Sequence, residues 1–153
     1  MAQNTIADQL IAYLQQEETN YAEAAKLGDA AMPLLKEIIK GSDERMASKA
    51  TSLAGMINSD QKTDALTEAA KHPSVVVRVA AAAAAAELNS DQAEKVLQHL
   101  IDDTDIGVSK YTLKSIKAKN LSRNFQDKLQ KISDNSPNES IKSMAKEALK
   151  GAN

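Results

Sequence analysis

The tetrapeptide Asn-Ser-Asp-Gln occurs twice, at Asn58–Gln61 and at Asn89–Gln92, a shift of 31 residues. A recurrence at that distance constrains the fold more than composition does. Periods of about 20 to 50 residues mark chains built by stacking copies of one small unit. The register extends well beyond the tetrapeptide. Leu35, Leu66 and Leu97 align, as do Ile38, Ala69 and Leu100, and Asn120 lies one further period after Asn89. Asp43, Ser74 and Asp105 also share a register, each followed three residues later by an apolar Met46, Val77 or Val108. A fourth copy, displaced by two more residues, carries Asn138 and then Ile141. The units therefore run 29–58, 60–89, 91–120 and 122–151.

Each unit reads as two helices. In the second, Ser59 is placed as an N-cap with Asp60 in the first turn, where the helix dipole favours a carboxylate. Leu66, Ala69 and Ala70 give a helical stripe that His72-Pro73-Ser74 stops. Ser74 then caps a second helix, which Asn89 closes. On a helical wheel Val77, Ala80, Ala81, Ala84, Ala85 and Leu88 share one face. The corresponding apolar positions of the third unit are Val108, Thr112 and Ile116. The run of alanines from Ala80 is thus one helix of a stack, made from the best helix former and small enough for close packing. It is not a membrane span: Val79–Ala86 lies between Arg78 and Glu87 and falls far short of the ~20 apolar residues a bilayer requires.

Composition fits an interior of small aliphatic side chains. The chain is 153 residues, 42 % hydrophobic but only 3 % aromatic, with no Trp and a single Phe125. One domain is expected. Residues 1–28, with the periodic Ile6, Leu10, Ile11 and Leu14, then Asn20 and Glu23 at capping-box spacing and Gly28 as a stop, are expected to cover the open end of the stack. The start lacks a basic segment and carries Asp8 within its apolar pattern, so no signal peptide is read and a cytoplasmic location is the expectation.

Chemistry-bearing constellations are sparse. There is no Cys, which removes thiol nucleophiles, thiolate metal ligands and disulfides. His72 and His99 fall in different units without a second ligand at metal-binding spacing. Asp102, Asp103 and Asp105 lack the glycine and terminal glutamate of a calcium loop; Asp105 is expected as an N-cap and the others as turn residues. No nucleophilic triad or paired-carboxylate arrangement can be assembled. The expectation is a chain that is not an enzyme and holds no cofactor and no metal. Charge is more informative. Residues 1–105 carry 9 Lys+Arg against 17 Asp+Glu, a balance of −8, while 106–153 carry 10 against 4, a balance of +6. The molecule is electrostatically bipolar.

The segments LGDAAMPLLKEIIKGSDERMASKATSLAGMI and HPSVVVRVAAAAAAAEL resemble HEAT repeats, in particular short bacterial repeats related to phycobilisome lyases. The shared features are Pro33 in a first helix, Asp43 and Asp105 at the turn within the unit, and the Val77-Arg78 pair opening a second helix. Departures are that the proline occurs in one unit only and that Ala47, Ser109 and Lys142 stand where Arg78 does, which leaves the family's Asp–Arg ladder incomplete. The resemblance implies an all-α fold: a right-handed α-α superhelix, or α-solenoid, of about four hairpins plus the N-terminal helical cap, with second helices lining the concave side. The wheel positions opposite the core are then Ser48, Thr51, Ser52 and Gly55; Val79, Ala82, Ala83 and Ala86; Lys110, Leu113, Lys114 and Lys117; and Ser143, Lys146, Glu147 and Lys150. The expected concave face passes from a smooth floor of small residues to a field of lysines.

Three functions compete. The first is a non-enzymatic scaffold binding a peptide or protein segment, with an acidic part on Lys110, Lys114, Lys117, Lys146 and Lys150, and Leu113, Val79, Ala82 and Ala86 alongside. The second is nucleic-acid binding, which the scarcity of stacking aromatics and the acidic half oppose. The third, a bilin lyase-like or cofactor-chaperone role, rests on family resemblance alone, and the sequence offers neither a cysteine nor an aromatic pocket for it.

Overall fold

The first helix of the computed structural model, α1 (Ile6–Gln15), opens on a capping box. Thr5 Oγ1 accepts from the Asp8 amide at 3.1 Å, and the Thr5 amide donates back to the Asp8 carboxylate at 3.3 Å. The structure describes residues 5–152; the first four residues of the expected cap segment, and Asn153, lie outside the described residues. A short α2 (Tyr21–Ala25) follows. Asn20 caps it through the Glu23 amide at 3.2 Å, but the Glu23 carboxylate turns to Lys26 at 2.9 Å instead of returning to the cap, so half of the expected capping box forms. Gly28 then turns the chain at φ +72°, a conformation glycine adopts without the Cβ clash other residues meet.

Four hairpins come next: α3 (Met32–Lys40) with α4 (Glu44–Met56), α5 (Lys62–Ala70) with α6 (Val75–Ala84), α7 (Ser90–Leu97) with α8 (Ile106–Ala118), and α9 (Gln126–Asn135) with α10 (Glu139–Lys150). No strand occurs among the described residues. Short 3₁₀ turns at 29–31 and 122–125 lead into first helices, and another at 85–87 ends α6. Pro33 sits in the first turn of α3, where its missing N–H costs no hydrogen bond.

The cap residues of the second helices behave largely as their spacing predicts. Asp43, Asp105 and Asn138 accept from the amides of Met46, Val108 and Ile141 at 3.1, 3.0 and 3.0 Å. Ser74 holds the same position but makes no side-chain cap bond, and its hydroxyl is buried without a partner. Two boundaries differ from expectation. Ser59 does not cap α5, whose N-cap is Gln61; the Ser59 hydroxyl donates to Asp29 and accepts from the Gln61 amide, forming a tight turn before the helix. Asn89 does not close α6 but opens α7, in a capping box with Gln92. An Asx side chain terminates less than it initiates, because its oxygen satisfies amides and helix C-termini present carbonyls.

The interior is a single cluster running from Leu10 and Leu14 in the cap to Ala145 and Ala148 in α10. Val77 and Ala81 in α6, Ala85 and Leu88 just after it, and Val108, Thr112 and Ile116 in α8 are buried at 2 % exposure or less and Ala84 is buried too, whereas Ala80 of the face expected from the wheel is half-buried. Second helices stack on second helices, α4 on α6, α6 on α8 and α8 on α10; first helices stack α3 on α5 and α5 on α7. The contact between α4 and α6 is the most extensive of all. Gly55 explains it: a Cβ there would stand 3.1 Å from the Ala84 Cβ, inside the ~3.5–4.0 Å optimum for carbon pairs. Lysines finish two helix ends. Lys49 Nζ donates to the carbonyls of Leu14 (3.0 Å) and Gln16 (2.5 Å), and Lys62 Nζ to that of Gly55 (3.2 Å), a cation on the negative end of each dipole.

Two polar links tie the turns of successive units. His72 Nδ1 accepts from the Ser74 amide at 2.9 Å, so Nε2 carries the proton and donates to the Gly41 carbonyl of the preceding unit at 3.2 Å. Arg78 Nη1 donates to the carbonyls of His72 and Pro73, and its Nε to Asp103 of the following unit at 2.8 Å. This single rung is what remains of an Asp–Arg ladder, and it uses Asp103 while Asp105 is occupied as a cap.

Candidate partner-binding face

The second helices form one layer, and the repeat register decides which of its side chains reach solvent. Thr51, Ala82 and Leu113 occupy one register position, and their exposures are 0, 0 and 2 %. That position faces the next second helix: the Ser115 hydroxyl of α8 donates to the Ala82 carbonyl of α6 at 2.6 Å. Ala82 and Leu113 are therefore packing residues between neighbouring units, and their expected place on a partner-binding surface is corrected. Gly55 and Thr51 are likewise buried. A wheel drawn for one helix cannot show this, because it separates inside from outside and omits the flank that the adjacent unit covers. Lys146 stands at the equivalent position in α10 and is exposed.

The outward positions that remain are Ser48, Val79, Lys110 and Ser143 on one line, Ser52, Ala83, Lys114 and Glu147 on a second, and Ala86, Lys117 and Lys150 on a third. Val79 and Ala86 are half-buried, whereas Ala83 and all five lysines of α8 and α10 named from the sequence are exposed. Units one and two thus present short side chains, and units three and four present cations on helices that pack against each other.

The lysine field is not uniform. Lys150 donates to Glu147 at 2.9 Å. That hydrogen bond, then the charge of Lys150 and more weakly that of Lys117, holds the Glu147 carboxyl below the ordinary carboxylate range. Lys114 lies over the Tyr111 ring, 5.2 Å from its centre, a cation–π contact of modest strength at an exposed site. Among the described residues no carboxylate lies within ion-pair distance of Lys110, Lys114, Lys117 or Lys146.

Both ring nitrogens of His72 are engaged, Nδ1 by the Ser74 amide and Nε2 by the Gly41 carbonyl. His99 is exposed in a shallow polar groove between α5 and α7, with Asp60, Asp64 and Lys95. Among the described residues no group of three His, Asp or Glu side chains lies close enough to hold a metal ion, and no helix is long and apolar enough to cross a membrane. The links through His72 and Arg78 escape a reading based on helix periodicity. One signal was available: Gly41 and His72 are separated by the repeat length of 31 residues, so they stack.

Tandem helical hairpins, each packed on its neighbour, with α1 and α2 against α4 of the first, define an α-solenoid. A family model of HEAT repeats matches residues 31–117 and, overlapping, 63–150. The chain belongs to the HEAT-repeat family, whose members are generally protein-interaction scaffolds. No curated protein matches it.

Proposed function

We propose that the chain is a non-enzymatic scaffold that binds an acidic segment of a partner protein across the second helices of units three and four. The observation that carries this reading is the group of Lys110, Lys114, Lys117 and Lys146, exposed on two packed helices with no carboxylate within ion-pair distance among the described residues. A cluster of like charges left uncompensated raises the local concentration of an oppositely charged segment and speeds encounter. The close approach of α4 to α6, set by Gly55 against Ala84, supports placing this layer on the inner side of the curve, where spacing between units is shortest. The short side chains of units one and two then give the segment a surface without bulky obstacles, with Val79, Ala83 and Ala86 as contacts.

The test is affinity capture from a native lysate with the wild-type chain and with Lys110, Lys114, Lys117 and Lys146 reversed to Glu. The reading predicts that a specific protein recovered by the wild type is lost with the reversed chain and bears an acidic segment. Unchanged recovery contradicts it. Capture of nucleic acid in place of protein would transfer the lysines to phosphate binding, with the steep salt dependence that entails.

A further inference from the structure

The junction between units three and four is built unlike the two before it. At the first, His72 reaches Gly41; at the second, Arg78 reaches Asp103. At the third, Ser109 holds the position of Arg78, and its hydroxyl turns back to the Asp103 carbonyl of its own unit at 2.9 Å. Helix α9 packs chiefly on α10, without the extended contact that α3 makes with α5 and α5 with α7. A cleft of about 830 Å³ opens at this junction. Its lining is apolar at Ile101, Ile132 and Ile141, and Ile106 stands at its edge, 55 % exposed.

The charges around the cleft are almost entirely paired. Lys128 bridges to Asp102 at 2.9 Å, and Asp103 is held by Arg78. Lys131 also lines the cleft, and among the described residues no carboxylate lies within ion-pair distance of it. The site thus combines an apolar wall with one uncompensated cation, and its volume falls in the range typical of small-molecule sites, about 300–1,000 Å³.

We propose that this cleft is a binding site for a small amphipathic monocarboxylate, its apolar body against the isoleucines and its carboxylate on Lys131. One apolar body and one negative charge are what the site lacks; a neutral hydrophobe would leave Lys131 without an anion, and a polyanion would meet Asp102 and Asp103. The lysines of the proposed partner-binding face do not line the cleft, so the two sites stand or fall separately.

The probes are decanoate and decanol, which share an alkyl chain and differ in charge, titrated into the full chain by calorimetry and by amide chemical shifts. Decanoate is expected to bind the wild type about three- to fivefold tighter than decanol, the gain of a solvent-exposed ion pair. Shifts should concentrate at residues 101–109 and 128–141. Lys131→Ala should abolish the preference, and Ile106→Ser should weaken both ligands. Both side chains are exposed, and unchanged melting temperatures would show that the variants stay folded. Failure of decanoate to bind at millimolar concentration, equal affinity for the two probes in the wild type, or a preference surviving Lys131→Ala would each overturn the proposal.

Discussion

The close contact of Gly55 in α4 with Ala84 in α6 makes the stacking of units directly measurable. Gly55→Ala places a Cβ 3.1 Å from Ala84 Cβ and 3.4 Å from its carbonyl oxygen. Glycine to alanine within a helix gains about 1 kcal/mol of propensity, whereas overpacking a closed interface costs about 1–3 kcal/mol. The single substitution should therefore be neutral or destabilise by up to about 2 kcal/mol. Ala84→Gly alone should lose about 1 kcal/mol of propensity plus the contacts of its methyl. The double variant, Gly55→Ala with Ala84→Gly, restores one methyl to the interface. It should be more stable than the sum of the singles by at least about 1 kcal/mol, within the coupling range of residues in contact. Urea unfolding at equilibrium reads this as midpoints at constant slope. Strict additivity within about 0.3–0.5 kcal/mol would mean that the two helices are not neighbours, and the stacked arrangement would be refuted.

Three further outcomes follow from the same packing. Thr112 is fully buried with a partnerless hydroxyl, so Thr112→Val should raise stability by about 1–2 kcal/mol, or roughly 2–8 °C in melting temperature. Thr51→Val should show no such gain, because the Thr51 hydroxyl donates to the Ala47 carbonyl at 2.7 Å; equal gains would contradict the assignment. Asp103→Ala removes the acceptor of Arg78 at a site where the two side chains are 11 and 20 % exposed, and should cost about 1–3 kcal/mol in a melting experiment. A change below about 0.5 kcal/mol, the range of ordinary surface substitutions, would show that the rung does not tie the units together. The Glu147 carboxyl should titrate below a free glutamate by NMR and return toward the ordinary range in Lys150→Ala. Its folded-state value is depressed, so the favourable pairing is present above the ordinary carboxylate range and is lost as pH falls through the depressed value.

The fold was legible because the repeat is. The aligned leucines, the caps Asp43, Asp105 and Asn138, and the alanine face of α6 each specify local structure that the global stack then uses. Less legible was anything that depends on two units at once. Ala82 and Leu113 read as surface on a single wheel, yet the neighbouring unit covers them. Arg78 finds Asp103, not the register-matched Asp105, because Asp105 is committed to the α8 N-terminus. The cleft beside Ile106 lies where the fourth unit is displaced by two residues and Ser109 stands in the place of Arg78, and no motif announces it. On the functional side, the five lysines are exposed, while the Glu147–Lys150 pair within the field follows from the (i, i+3) spacing of those two residues, readable on the helix.

The most direct measurement is a titration of the ¹⁵N-labelled full chain with an oligoglutamate peptide, followed by amide chemical shifts at low and moderate salt. The account predicts saturable shifts confined to α8 and α10 around Lys110, Lys114, Lys117 and Lys146, weakened by salt and abolished when those four become alanine. Shifts spread over the whole surface, or centred on units one and two, or undiminished in the alanine variant, would contradict it.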